Sequence, residues 1–76
     1  MQRWEYLFVT CIYHNDDWRP KYVNGQEVRD WKRGPSISEF SNRIGLDGWE
    51  LVNLMTGHTE SGGTEAYRLV FKRPRP

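Results

Sequence analysis

The sequence predicts a small α+β domain: an antiparallel or mixed sheet of three main strands plus a short β-hairpin, with one helix packed on one face. Strand-like segments rich in aromatic and β-branched residues lie near both ends of the chain, at residues 3–13 and 65–72. A capped amphipathic helix at residues 36–45 is followed by an apolar strand at residues 49–54. A chain of 76 residues has room for one domain with one core, so residues 1–76 are expected to form a single unit.

The first predicted strand is apolar on both faces. One face carries Trp4, Tyr6, Phe8, Thr10 and Ile12. The other carries Glu5, Leu7, Val9, Cys11 and Tyr13. The helix can cover one face, so the other requires a loop, the middle segment or a second subunit.

The middle segment, residues 14–34, is interpreted as a hairpin-containing insertion. Residues 14–19 are polar and predict a turn region. Asn24-Gly25 lies between two short β-prone pieces and is the strongest short-range signal for a two-residue hairpin, which is expected at about residues 20–30.

Ser36 and Glu39 predict the start of the helix. The Ser36 hydroxyl can accept a bond from a backbone N–H in the first turn, and Glu39 can reach back to the Ser36 N–H, as in a capping box. Helical spacing then gives an apolar stripe of Ile37, Phe40 and Ile44.

A glycine-marked corner is expected to follow this helix. Gly45 is predicted to end the helix with a positive φ, and Leu46 to fold back against it. Both faces of the next strand, residues 49–54, are mostly apolar, which favours a strand that is central in the sheet or covered on both faces. If Glu50 is buried there, it needs a cation such as Arg68, and that pair is interpreted as structural.

The last third of the chain predicts a hairpin. Residues 56–64 are rich in glycine and predict a loop, across which residues 65–72 pair antiparallel with residues 49–54. The first strand is expected to pair with the last, which leaves the last strand central. Residues 73–76, R-P-R-P, predict an extended tail that does not continue a ladder.

Three short stretches together resemble a known family. They are W-E-Y at residues 4–6, N-R-I-G-L-D-G-W-E-L-V at residues 42–52 and F-K-R at residues 71–73. Their order and spacing resemble the hallmark of a family of small, mostly bacterial domains of unknown function, although Ser41 stands where that family tends to have Leu. The resemblance implies a small α+β fold and no established activity, so it supplies no catalytic residues.

Composition and motifs argue against several classes of function. The net charge of +1 argues neither for nor against a polyanionic partner. The single Cys11 cannot form an intramolecular disulfide, which favours a reducing cytoplasmic setting. No run of about 18 apolar residues predicts a membrane span, and no signal-peptide h-region is present. The chain is therefore expected to be soluble and complete as written.

No catalytic or cofactor motif is recognised. Cys11 is predicted to be an inert core residue, and His14 projects from the opposite face of the strand, so the two cannot form a local Cys–His pair. The candidate metal ligands lack a recognised spacing; they are His14, Asp16, Asp17, His58 and Glu60. We therefore expect no enzyme activity, no cofactor and no metal.

The functional prediction is a non-catalytic interaction or small-ligand-binding module that self-associates through its sheet, with a homodimer as the first expectation. The residues predicted to contact a protein or small-molecule partner are Trp18, Tyr22, Trp31, Arg33 and Arg73. The alternative is a single-stranded nucleic-acid-binding protein, because the middle segment interleaves aromatic and basic side chains and the C-terminal tail adds positive charge.

Overall fold

The computed structural model describes residues 1–58 and 64–76, and it shows a five-stranded antiparallel sheet with one α-helix. The strands are β1 (Arg3–His14), β2 (Asp17–Val23), β3 (Gln26–Glu27), β4 (Glu50–His58) and β5 (Thr64–Arg75). A 3-10 helix, Trp31–Arg33, precedes α1, Ile37–Gly45. The sheet order is β3-β2-β1-β5-β4. The α+β class is confirmed, but the sheet has five strands instead of three and a separate hairpin. In the predicted loop at residues 56–64, residues 56–58 and 64 instead belong to β4 and β5, and the remaining residues lie outside the described ones.

Two tight turns connect β1, β2 and β3. Asn24 and Gly25 have φ values of 51° and 81°, which confirms the predicted Asn-Gly hairpin. Asn15 and Asp16 have φ values of 52° and 63° and form a second two-residue turn inside the predicted polar turn region. Asn and Asp tolerate this left-handed conformation better than other non-glycine residues. As a result, β2 begins at Asp17 and joins the main sheet beside β1.

The centre of the sheet is the antiparallel pair of β1 and β5, as predicted from the sequence. Their register runs without a bulge from Arg3 opposite Arg75 to Cys11 opposite Tyr67. The predicted tail differs, because β5 continues through Pro74 to Arg75. β4 begins only opposite Lys72, so beyond that point β5 has a neighbour on one side and tolerates a residue without an N–H.

The core lies between this strand pair and α1. The fully buried side chains are Val9, Cys11, Leu69 and Phe71. The helix stripe predicted from the sequence is confirmed, because Ile37, Phe40 and Ile44 all pack against this core. The Phe40 and Phe71 rings meet edge to face with centroids 6.4 Å apart. We call this side of the sheet the covered face.

The predicted capping box starts α1. The Ser36 hydroxyl accepts from the Glu39 N–H at 3.2 Å, and the Glu39 carboxylate accepts from the Ser36 N–H at 3.1 Å. The predicted corner after the helix is wrong in detail. Positive φ occurs at Gly48 (91°) and not at Gly45, and Leu46 is 89% exposed instead of folded back.

The prediction that the strand after the corner is central or covered on both faces is also wrong. β4 forms an edge of the sheet, and its side chains from Glu50 to Thr56 are exposed. Two apolar faces are equally compatible with burial inside one chain and with an exposed edge, so the pattern could not distinguish them. Glu50 is exposed and lies opposite Lys72, not Arg68.

Candidate interaction surfaces

Cys11 is a core residue, as predicted. Its side chain is fully buried between β2 and β5, and burial raises the pKa of the thiol to about 12. A thiol that stays protonated is a poor nucleophile. His14 does not face it but packs edge to face on Trp31, with ring centroids 5.7 Å apart.

Only some of the candidate metal ligands are among the residues that the structure describes. Among residues 1–58 and 64–76, no three His, Cys, Asp or Glu side chains gather as a metal ligand set. Glu60 lies outside the described residues, and the side chain of His58 is not described. The absence of a metal site therefore stays a prediction.

Trp18, the first predicted contact residue, packs within the protein. Its half-buried ring meets the Tyr13 ring at 5.3 Å and the Tyr67 ring at 4.5 Å, both edge to face. Trp18 belongs to the layer that surrounds the core on the covered face. Much of its surface is therefore already used by intramolecular contacts.

Tyr22 and Trp31, two other predicted contact residues, both lie next to the Lys21 ammonium. The Lys21 ammonium lies 5.3 Å from the Tyr22 ring centroid and 5.2 Å from the Trp31 ring centroid. Arg33 is exposed in the same 3-10 helix as Trp31. This grouping holds the 3-10 helix against β2.

Arg73, the last predicted contact residue, is engaged at the other end of the sheet. Its guanidinium pairs with the Glu5 carboxylate, donates to the Asp47 carbonyl at 3.0 Å and lies 4.3 Å from the Trp49 ring centroid. Arg73 thus clamps the corner after α1 to β1 and β5.

The five predicted contact residues do not form one site. Arg73 is opposite Glu5 and Trp18 is opposite Tyr13. Glu5 and Tyr13 are eight positions apart along β1, which corresponds to about 26 Å along an extended strand. The interleaved aromatic and basic residues of the middle segment therefore do not converge with the C-terminal arginine.

A different surface does converge: the face of the sheet opposite α1, which we call the open face. Along β1, Trp4, Tyr6 and Phe8 are 41%, 49% and 58% exposed there. The β5 residues opposite Thr10, Phe8 and Tyr6 share this face. They are Arg68, Val70 and Lys72. The alternation along β1 carried this signal, but it did not show which face the helix covers.

The second surface is the outer edge of β4. Leu51, Val52, Leu54 and Met55 are each between 45% and 51% exposed. Leu51 and Leu54 lie opposite the core residues Phe71 and Leu69, so they point to the covered face at the margin of the core. The missed signal is the absence of charge from Leu51 to Gly57.

The sequence is similar to one known protein family over most of its length. The sequence matches the family described as "Domain of unknown function (DUF4177)" over residues 4–74. No curated protein and no solved structure matches the chain. No helix in the described part of the chain is long and apolar enough to cross a membrane.

Proposed function

The chain belongs to the DUF4177 family, and we propose that it is a non-catalytic interaction module that forms a homodimer through the outer edge of β4. A strand at the edge of a sheet presents backbone N–H and C=O groups that can pair with a strand of another chain. The observation that carries the proposal is the contrast between the two edges of this sheet.

The two edges of the sheet differ in length and in charge. β3 has only two residues, Gln26 and Glu27, and a short edge strand with a charged side chain discourages pairing. β4 has nine residues and seven consecutive uncharged ones, Leu51–Gly57, with no proline. A long, uncharged and apolar edge is the kind that pairs with another strand.

A symmetric pairing fits the side chains of this edge. Two copies related by a two-fold axis perpendicular to the sheet would align their β4 strands antiparallel. The register of β4 against β5 shifts between Leu51 and Asn53, so Leu51 and Leu54 both point to the covered face. A pairing that sets Leu51 of one copy opposite Leu54 of the second copy is therefore compatible with the directions of both side chains. The two sheets would join into one, and the exposed leucines would cover each other.

Sedimentation equilibrium tests the homodimer. We expect the mass to rise with concentration from 9.1 kDa toward twice that value, because dimerisation through a small interface follows mass action. Leu54→Lys should remain monomeric, since a charge on an edge strand blocks pairing. Leu46→Lys is the matched control, because Leu46 is an exposed leucine outside the strand, and it should dimerise like the parent.

Two results would refute this proposal. One is a constant mass of 9.1 kDa for the parent over a wide range of concentrations. The other is dimerisation of Leu54→Lys with the parent affinity. Circular dichroism of each variant, followed through thermal unfolding, verifies that the monomer is folded.

A further inference from the structure

We propose that the open face binds single-stranded nucleic acid, with Tyr6 and Phe8 stacking on bases and Lys72 and Arg68 contacting phosphates. This site is separate from the β4 edge that carries the proposed dimer. It also differs from the residues of the middle segment, because it is assembled across β1 and β5.

The two rings are placed for stacking on successive bases. Tyr6 and Phe8 alternate along β1, so their Cα atoms are about 6.6 Å apart. That spacing exceeds the 3.4 Å rise of bases in a duplex strand, so the bound strand would be extended, with one base on each ring. Tyr6 and Phe8 are the two most exposed aromatic residues of the open face, at 49% and 58%.

Cations lie at both ends of this ring pair. Lys72 is opposite Tyr6, and Arg68 is opposite Thr10, the next residue of β1 on this face. The Lys72 ammonium lies 4.3 Å from the Trp4 ring centroid, which fixes it over the open face. Positive charge beside aromatic rings is the combination that single-stranded nucleic acid requires.

The charge pattern favours a polyanion over a second copy of the chain on this face. Face-to-face dimerisation would remove Lys72, Arg68 and the neighbouring Glu50 from water, and desolvation of charges is costly. Glu50 lies opposite Lys72 and is the acid nearest the site on the adjoining strand. Two cations within five residues of β5 instead complement a phosphate backbone.

Fluorescence titration with single-stranded oligo-dT and oligo-dA tests the site. We expect binding with quenching of tryptophan emission, and Trp4→Phe should reduce the quenching because Trp4 is the tryptophan beside the rings. Two phosphate contacts predict a slope of about −1.4 in a plot of log K against log salt, and Arg68→Gln should bring it to about −0.7. A duplex of the same sequence should bind more weakly.

Matched variants separate stacking from general charge. Phe8→Ser should weaken binding about tenfold by loss of one stacked base, and Phe8→Tyr should restore it. Glu50→Gln should strengthen binding, because it removes the acid beside Lys72. Tyr13→Ser is the control, since Tyr13 is an exposed aromatic residue of β1 on the covered face. Leu54→Lys should retain binding, which keeps this proposal independent of the dimer.

Three results would overturn the nucleic-acid site. They are the absence of binding at low salt, equal losses in Phe8→Ser and Tyr13→Ser, and equal affinity for polyglutamate, which would indicate an acidic protein partner. Thermal unfolding of each variant verifies that a loss of binding is not a loss of fold.

Discussion

At the scale of single residues, burial decides the chemistry of Cys11. A thiol with a pKa raised to about 12 by burial remains neutral at physiological pH. The same side chain belongs to the buried core cluster together with Val9, Leu69 and Phe71. Cys11 therefore contributes to core packing, and the same burial suppresses the reactivity of its thiol.

The Cys11 pKa predicts a loss of stability in alkali. The unfolded thiol ionises near pH 9 and the folded thiol near pH 12, so between these values the unfolded state gains stabilisation that the folded state lacks. The difference in free energy of unfolding between the parent and Cys11→Ala should be constant below pH 9 and should decline above it. Urea unfolding at a series of pH values measures it. A difference that does not change with pH would contradict the prediction.

Arg73 shows what single-residue reasoning misses. Its charge and C-terminal position suggest an exposed contact, whereas its guanidinium is used by Glu5, Asp47 and Trp49. These three partners are distant in sequence, and no local pattern brings them together. Phe8 is the reverse case, an apolar residue with the pattern of a core position that is left in solvent.

At the scale of elements, the capping box defines where α1 begins. Ser36→Ala should lower the free energy of unfolding by about 1 kcal/mol, because a first-turn N–H loses its acceptor. Urea denaturation monitored by circular dichroism measures the change. Ser38→Ala is the control, since Ser38 is exposed within the same helix and outside the cap, and it should change stability little.

The second hydrogen bond of the capping box, from the Ser36 N–H to the Glu39 carboxylate, predicts how stability depends on pH in acid. The Ser36 N–H donates to the Glu39 carboxylate and lowers the pKa of Glu39 below its usual value of 4.5. Its stabilising effect is therefore present above pH 4.5 and is lost as the pH falls through the lower folded pKa. The stability difference between the parent and Glu39→Gln should shrink on acidification. A difference that grows instead would exclude this account.

The elements predicted well are those specified by neighbouring residues. Ser36 and Glu39 are three positions apart, and Asn24-Gly25 is a dipeptide, so each carries its own structural signal. The position of β4 depends on which strand lies beyond it, and alternating apolar residues look the same at the edge and at the centre. Asn15-Asp16 carries a weaker turn signal, because it forms the turn without a glycine.

At the scale of the whole molecule, the core is small and each member matters. Stability of about 0.05–0.15 kcal/mol per residue is typical of small domains, so one large cavity can remove most of it. Phe71→Ala should cost about 3–5 kcal/mol, because Phe71 is fully buried and contacts α1 through Phe40. Calorimetry should show a much lower unfolding temperature or no cooperative transition.

The control for that experiment is Leu46→Ala. Leu46 is 89% exposed, and its truncation should change stability by no more than about 0.5 kcal/mol. Similar melting of Phe71→Ala and the parent would mean that the core is organised around other side chains.

The two proposed surfaces divide the sheet according to charge. The β4 edge is uncharged from Leu51 to Gly57, and the open face carries Lys72 and Arg68 beside its rings. A dimer joined at the edge would leave both open faces accessible on the same side of one extended sheet. Two such faces, linked rigidly, could contact the same long strand.

The pairing of β1 with β5 also bears on how the polypeptide acquires its shape. Arg3 meets Arg75, so the middle of the sheet joins segments that leave the ribosome first and last among the described strands. Contacts between residues so far apart in sequence form slowly, because the intervening chain must first lose conformational entropy. Until β5 has been synthesised, Val9 and Cys11 lack the packing partners Leu69 and Phe71 that bury them in the folded protein.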